Sequence, residues 1–160
     1  MLLSMVMPLA AAAQRYEATV TRVSDGDTLW VRLAAGGEPR KLRIEGIDAP
    51  EICQRGGVES RQALEKLVAK QKVTVTVSRK DDHGRGLAKI QVGGQDVGAA
   101  MVSQGQAWSY RWRRNPGPYS AQEADARRAR RGLFADPGAE RPRDFRQRNG
   151  PCEHRPSHGG

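Results

Sequence analysis

The feature that most constrains this chain is a set of short segments in residues 16–92 in which apolar and polar side chains alternate. The clearest is Lys72–Ser78, where Val73, Val75 and Val77 recur at every second position. That spacing is the side-chain period of a β-strand, and glycine or proline breaks the chain between most of the segments. The pattern predicts five strands, at Tyr16–Ser24, Thr28–Leu33, Lys41–Ile47, Lys72–Ser78 and Leu87–Val92.

Three further segments carry a helical pattern. Glu59–Lys70 has its apolar side chains on one face, and Asp96–Gln104 begins with a residue that can cap a helix. Ala121–Arg131 follows the capping-box pattern of Ser120 and Glu123. The residues expected on buried faces are Ala63, Leu64, Leu67 and Val68 in the first helix, and Tyr119, Ala126, Ala129 and Leu133 in the third.

This order of elements predicts a mainly β fold of the α+β class. Five short strands with a helix between the third and the fourth indicate a five-stranded Greek-key barrel of the OB type, with about three helices packed outside it. An α+β sandwich of the same elements is the alternative, because the pattern alone cannot close a barrel. The 160 residues suffice for one compact domain. We assign it to residues 16–134, and we expect residues 135–160, rich in Pro, Gly and Arg, to be an irregular basic tail.

Residues 1–13 are apolar and uncharged, and they end in four alanines. We expect them to be a leader for export that is cleaved near Ala13, so that the protein is periplasmic or secreted. The alternatives are a short disordered N-terminus and an apolar arm packed on the domain. The segment is too short to span a bilayer, and the sequence contains no run of about twenty apolar residues, so we predict no membrane span.

The charge of the chain indicates a polyanionic partner. Lys and Arg total 27 against 18 Asp and Glu, which gives a net charge of +9, and 21 of the cations are arginine. Either nucleic acid or an anionic membrane surface fits this excess. Eleven arginines and five acids lie between Arg111 and Arg148, so the last third of the chain is the most basic part. The two cysteines exclude a disulfide-dense miniprotein and a four-cysteine zinc ribbon.

Three polar segments interrupt the strand pattern. In the first, Ser-Asp-Gly-Asp-Thr at 24–28, two carboxylates flank a glycine where a hairpin turn is expected, and turn chemistry alone explains it. The second, residues 42–51, ends its strand at Asp48 and Glu51. With Asp27 these acids could supply hard oxygen ligands to a divalent cation, or they could form a surface turn paired with Arg43. The third, residues 80–87, sets Arg85 between two glycines and is a weak motif by itself.

Taken together, the three segments contain the groups that phosphodiester hydrolysis requires. A metal held by acids polarises the phosphate, a nearby carboxylate takes the proton of the attacking water, and arginines bind the phosphoryl oxygens. None of these roles needs a histidine or a cysteine.

The order and spacing of Ser-Asp-Gly-Asp-Thr, Arg-Ile-Glu-Gly-Ile-Asp-Ala-Pro-Glu and His-Gly-Arg-Gly-Leu-Ala closely resemble the staphylococcal (micrococcal) nuclease, or thermonuclease-like, family. The resemblance runs over Tyr16–Phe134 and implies an OB-type barrel. It also implies a calcium-dependent nuclease that cuts DNA and RNA with little sequence choice and leaves 3′-phosphates. The residues it implies are the Ca²⁺ ligands Asp27, Asp48 and the Ala49 carbonyl, the second acid Asp25 acting through water, the general base Glu51, and the phosphate-binding arginines Arg43 and Arg85.

The candidate substrate contacts are less specific. They are His83, Trp108, Tyr110, Arg111 and Trp112. The aromatic residues of this set could stack on a base beside the arginine. In the other interpretation, His83 is an ordinary exposed loop residue, while Trp108 and Tyr110 complete the core. Asp82, where the staphylococcal enzyme carries lysine, places a negative charge that we expect to weaken substrate binding.

Cys53 follows Glu51 by two residues, and Cys152 lies in the tail. In an oxidising compartment, a bridge between them would tie the tail across the barrel beside the site, an expectation that depends on export.

The sequence therefore predicts an exported, monomeric, calcium-dependent nuclease with no protein partner implied. The first alternative is a non-catalytic OB-fold module that holds nucleic acid through its basic surface. The second is a cationic surface-binding protein without a site.

Overall fold

The computed structural model describes residues 12–152. Its strands are β1 Gln14–Asp25, β2 Thr28–Leu33, β3 Arg40–Ile44, β4 Ile47–Asp48, β5 Lys72–Lys80, β6 Gly86–Val92, β7 Gln95–Asp96 and β8 Trp108–Ser109. Its α-helices are α1 Gly57–Val68, α2 Val97–Ser103, α3 Ser120–Arg128 and α4 Pro142–Asn149, and a 3-10 helix spans Gly132–Ala135. The greater part of the predicted leader lies outside the described residues, as does the end of the tail from residue 153.

Five strands close into a barrel, as the strand pattern predicts. They pair antiparallel in the order β3-β2-β1-β5-β6, and a parallel pairing of β3 with β6 closes the circle. Two register shifts bend β1, between Val20 and Arg22 and between Val23 and Asp25. Such bulges increase the local twist that a small barrel needs. The barrel is therefore confirmed, and the alternative of an open sandwich is wrong.

The core follows from the alternation of side chains. Leu29, Val31, Val73, Val75 and Ile90 point into the barrel and are fully or almost fully buried. Helix α1 packs against the barrel with the face that the sequence predicts. On that face Leu64 and Val68 are fully buried, and Ala63 and Leu67 pack at the margin of the core.

The second and third helices start differently from one another. Asp96 caps α2, because its Oδ1 accepts the Ala99 N–H at 3.0 Å, as predicted. The predicted capping box of α3 is wrong: Tyr119 is the N-cap, its side chain makes no capping bond, and its N–H donates to Ser109 Oγ at 3.1 Å. Glu123 turns inward and binds arginines, so it is unavailable for a cap. The predicted buried seam is also wrong at Ala129, which is exposed.

Two predicted boundaries are corrected as well. The third strand ends at Ile44 and not at Ile47, because the chain turns at Gly46, whose φ is 82°. The tail is not irregular throughout: it contains α4, which has Pro142 in its first turn and ends at Gly150. The structure thus has four α-helices in its described part, not about three. None of the helices among residues 12–152 is long and apolar enough to cross a membrane.

Candidate active site

The three polar segments meet on one side of the barrel because of how β3 is paired. Arg43 of β3 lies opposite Thr28 of β2 on one side and opposite Leu87 of β6 on the other. This register places Arg43 between the β1–β2 turn and the β5–β6 turn. A cleft of about 720 Å³ opens there. The predicted site residues that line the cleft are Asp25, Asp27, Arg43, Glu51, His83, Arg85 and Tyr110.

The glycine of the first motif is needed for packing. A Cβ at Gly26 would overlap the hydroxyl of Ser60 on α1 and would come within 2.7 Å of the Ala49 Cβ. Only glycine lets the β1–β2 turn approach α1 and the chain after β4 this closely. The turn is therefore held against α1 and Ala49, with the Ala49 N–H bonded to Asp27, and it is more than an ordinary hairpin connection.

Arg43 joins the acids of the first two segments. Its Nη2 donates to Asp27 Oδ2 at 3.2 Å and to Asp48 Oδ1 at 3.3 Å, while its Nη1 donates to the Ile47 carbonyl at 3.0 Å. Burial alone would lower the pKa of Arg43, but Asp27 and Asp48 raise it above its usual value. The guanidinium is thus a fixed positive charge at the base of the cleft.

Asp27 is buried, and hydrogen bonds fix both of its oxygens. Oδ1 accepts from the Thr28 hydroxyl at 3.2 Å, and Oδ2 accepts from the Ala49 N–H at 2.8 Å as well as from Arg43. Ala49 therefore lies next to Asp27 through its main chain, and its methyl group is not involved. The predicted role of the Ala49 carbonyl as a ligand stays a prediction.

The acids of the cleft carry more negative charge than Arg43 offsets. Burial, together with the charge of Asp27, raises the pKa of Asp25 to about 7. Burial and Asp27 also raise the pKa of Asp48, although Arg146 and Arg43 act in the opposite direction. A further positive charge at these carboxylates would be stabilising, and their hard oxygens suit a divalent cation such as Ca²⁺.

The donor set for a cation is small. Within residues 12–152, no group of three or more His, Cys, Asp or Glu side chains is arranged to hold a metal ion. Asp27 and Asp48 are instead a pair joined by Arg43. Two carboxylates and a main-chain carbonyl fit a cation that keeps several waters, and they do not form a closed structural site.

Glu51 follows Pro50 at the rim of the cleft. Its N–H donates to Gln54 Oε1 at 3.2 Å, which fixes the start of the loop that leads into α1. Its carboxylate accepts a hydrogen bond from Arg146 Nη1 at 2.8 Å. The general base that the sequence predicts is therefore in the cleft, and it is engaged by a residue of α4.

Arg146 is a residue of the site that the sequence did not indicate. Its Nη1 also donates to Asp48 Oδ1 at 3.1 Å, and its Nη2 donates to Asp48 Oδ2 at 3.3 Å. The helix that carries it could have been found, because Pro142 and Gly150 are typical start and stop residues. The contact itself could not, since it depends on where the tail folds back.

Arg85 also has a partner that the sequence did not indicate. Asp81 accepts the Arg85 N–H at 2.9 Å and its Nε–H at 2.8 Å. Slight burial acts in the opposite direction, but these bonds hold the pKa of Asp81 below its usual value. Within residues 12–152, neither Nη group of Arg85 makes a hydrogen bond, so both can donate to a phosphate. Asp82 is exposed and also lines the cleft, so its predicted effect on substrate binding stays a prediction.

The candidate substrate contacts divide into two groups. Tyr110 is 39% exposed in the cleft, with the Arg43 guanidinium 5.9 Å from its ring centre, and His83 is exposed at the rim. Trp108 is buried and packs edge-on against Phe134, which favours the interpretation in which it completes the core.

The other two candidates lie outside the cleft lining. Arg111 donates to Glu123 Oε1 at 2.8 Å, and Trp112 is exposed. Trp112 is not among the residues that line the cleft, whereas Arg111 lines a neighbouring pocket together with Asp48 and Tyr110.

The tail is tied to the Glu51 loop by a disulfide between Cys53 and Cys152, whose Cα atoms are 5.8 Å apart. The bridge spans 99 residues of sequence. Because Cys53 lies two residues after Glu51, the bridge brings the end of α4 to the rim of the cleft.

A closed five-stranded barrel with a lateral cleft lined by carboxylates and arginines defines a protein of the OB-fold class. Comparison with known proteins agrees with that class. Residues 41–136 match the family described as staphylococcal nuclease homologue. The chain belongs to this family.

Individual relatives extend the match over most of the chain. A micrococcal nuclease of Shigella flexneri is 36% identical over 143 residues, which cover 82% of this chain and 81% of the relative. An uncharacterized endonuclease of Haemophilus influenzae is 33% identical, covering 86% of this chain and 77% of its own. Protein ParB of Escherichia coli is 37% identical, with coverage of 80% and 77%.

Proposed function

We propose that this protein is a calcium-dependent endonuclease that hydrolyses DNA and RNA with little sequence preference. The observation that carries the proposal is that Asp27, Glu51, Arg43 and Arg85 meet in one cleft. Arg43 joins Asp48 to Asp27 at the base of this group. Membership of the nuclease family and the names of the relatives support it.

Asp27 and Asp48, with the Ala49 carbonyl, are the groups that would hold Ca²⁺. A bound Ca²⁺ would supply positive charge to the phosphoryl oxygens. Asp25 acts on the site indirectly, through Asp27, because its Oδ1 accepts the Asp27 N–H at 3.0 Å. Arg43 fixes the orientation of both ligand carboxylates through its Nη2.

The chain's own residues account for the chemical step. Glu51 takes a proton from a water molecule as the water oxygen forms a bond to phosphorus. The bond between phosphorus and the 5′-oxygen breaks, and that oxygen takes a proton from solvent, which leaves a 5′-hydroxyl and a 3′-phosphate. Arg85 stabilises the charge that develops on the phosphoryl oxygens and keeps its proton, because a guanidinium stays charged at any ordinary pH.

We also propose that the protein is exported and works as a monomer. The Cys53–Cys152 disulfide supports export, because such bonds form and persist in oxidising compartments. Mass spectrometry of exported material would test the leader, since an N-terminus that keeps Met1 contradicts it.

Incubation with single-stranded DNA and with RNA, in Ca²⁺ and then in a chelator, tests the proposed function. We expect cleavage only in Ca²⁺. The products should carry 3′-phosphates, which a 3′-phosphatase would release. Binding without cleavage in both conditions would instead favour the non-catalytic OB-fold module.

A further inference from the structure

Arg146 binds Asp48 and Glu51, the two carboxylates that must be free of other partners in the proposed reaction. Its Nη1 lies 2.8 Å from Glu51 Oε1 and 3.1 Å from Asp48 Oδ1. The attacking water must reach Glu51, and a cation must reach Asp48. One guanidinium nitrogen therefore stands between a general base and a metal ligand, where both the water and the cation would have to be.

Three ties hold α4 in this position. The Cys53–Cys152 disulfide fixes its C-terminal side to the Glu51 loop. On the N-terminal side, Gln54 Nε2 donates to the Glu140 carbonyl at 2.7 Å, and Pro142 is buried. Because these ties keep the helix beside the loop, Arg146 meets its carboxylates at a high effective concentration. A free cation competes with it at a disadvantage.

We propose that residues 140–152 form an autoinhibitory clasp, in which Arg146 competes with Ca²⁺ and with the attacking water for Asp48 and Glu51. This inference rests on the function proposed above and adds a regulation of the same site. Arg146 cannot leave by losing its charge, since arginine stays protonated, so another cation at Asp48 must displace it. Its side chain is 36% exposed. When Arg146 leaves the carboxylates, α4 loses this contact and loosens without unfolding of the barrel.

Ca²⁺ binding in the absence of nucleic acid tests the clasp directly. We would measure the dissociation constant by titration calorimetry with CaCl₂ on the full chain. Removal of the competing guanidinium in R146Q should tighten Ca²⁺ binding about tenfold, which corresponds to about 1.4 kcal/mol. The matched control is R143Q, on the same helix.

The control separates the effect of losing the contact with the acids from the effect of losing a positive charge. Arg143 is exposed, and its guanidinium has no hydrogen-bond partner in the part of the chain that the structure describes. R143Q therefore removes the same charge from the same helix but no contact with the acids. We expect its affinity for Ca²⁺ to rise less than about twofold, because exposed charges are strongly screened by salt.

The disulfide provides a second arm of the test. In the double variant C53S/C152S, the loss of the tether should tighten Ca²⁺ binding about threefold, since α4 then spends less time on the carboxylates. In an R146Q background, the same removal of the disulfide should leave the affinity unchanged. Independent effects of the two changes would contradict a clasp that acts through Arg146.

Hydrogen exchange on the unaltered protein keeps the inference testable even if R146Q does not fold. Ca²⁺ should speed exchange of the α4 amides by displacing Arg146, and unchanged or slower exchange overturns the clasp. Equal or weaker Ca²⁺ binding by R146Q also overturns it, while Ca²⁺-dependent cleavage by the unaltered protein would leave the proposed function standing. If no form binds Ca²⁺, R146Q included, the proposed cofactor and the clasp both fail.

Discussion

Two groups of acids and arginines lie in this protein, and they are built in opposite ways. In the Glu123 cluster, a single carboxylate that is 2% exposed accepts hydrogen bonds from Arg111 and Arg127 at 2.8 Å and from the Ser109 N–H at 2.9 Å. Burial would raise the pKa of Glu123, but these donors hold it below its usual value. This cluster joins α3 to β8 and to the loop that follows.

In the cleft cluster, formed by Asp25, Asp27, Asp48 and Arg43, the balance is reversed. Arg43 bonds to Asp27 and Asp48 but not to Asp25, and burial raises the pKa of Asp25 and of Asp48. Arg146 reaches the group only from outside, on a tethered helix. The Glu123 cluster is therefore saturated with donors and stabilises the fold, whereas the cleft cluster holds negative charge that is not fully offset, as expected where a ligand completes the site.

The variant with the largest expected effect on the cleft is Glu51→Gln, which removes the proposed general base. Turnover on single-stranded DNA should fall about 10³-fold, because proton transfer by a positioned base contributes about 10² to 10⁴. The free energy of unfolding should change little. Glu45→Gln is the matched control in the same cleft, where Glu45 accepts a hydrogen bond from the Ser78 hydroxyl at 3.1 Å. A similar loss of turnover in both variants would remove Glu51 from its role.

Arg85→Ala is expected to have the next largest effect. Its loss should lower turnover about 10²-fold, because it stabilises charge that develops only in the transition state. Substrate affinity should change much less. The control is Arg79→Ala, which removes another arginine from the lining of the cleft. Equal losses of turnover and affinity in Arg85→Ala would argue against this role.

Glu123→Gln should affect stability and not turnover. We expect a loss of about 2 kcal/mol at pH 7, the low side for a buried ion pair because both arginines are more than a third exposed. The folded pKa is depressed, so the stabilisation is present above the usual glutamate pKa and is lost as the pH falls below roughly 4. Denaturant unfolding from pH 7 to pH 3 should therefore show the two proteins converging.

Glu17→Gln, an exposed residue of β1, is the control for the loss of a glutamate charge, and it should stay within about 0.5 kcal/mol of the unaltered protein. A constant gap between Glu123→Gln and the unaltered protein across this pH range would show that the ionised carboxylate is not what stabilises the fold.

The local sequence pattern is enough to predict the barrel and most of its strands and helices. The alternation at Val73, Val75 and Val77 is a local signal that the closed barrel preserves, and the Asp96 cap needs only its own helix. The capping box at Ser120 failed because tertiary contacts override a local preference. Glu123 gains more from two arginines and a main-chain donor than from capping α3.

The candidate site was predictable as a set of residues but not as a geometry. The motifs around Asp27, Asp48 and Arg85 identify the set through the family resemblance, and the barrel then brings these residues together. The contacts of Arg146 depend on a disulfide 99 residues apart in sequence and on a helix folded back across the rim. No local signal encodes such a contact, and the same holds for the choice of Asp81 over Asp82 as the partner of Arg85.

The measurement that tests the account most directly is a paired determination of stability and cleavage for Asp48→Asn. In chelator, we predict a free energy of unfolding equal to or higher than that of the unaltered protein, because the variant removes a buried charge that its surroundings do not fully offset. In Ca²⁺, the same variant should not cleave DNA. An Asp48→Asn protein that is destabilised as strongly as Glu123→Gln and still cleaves would contradict the account, since the cleft cluster would then be a structural ion pair.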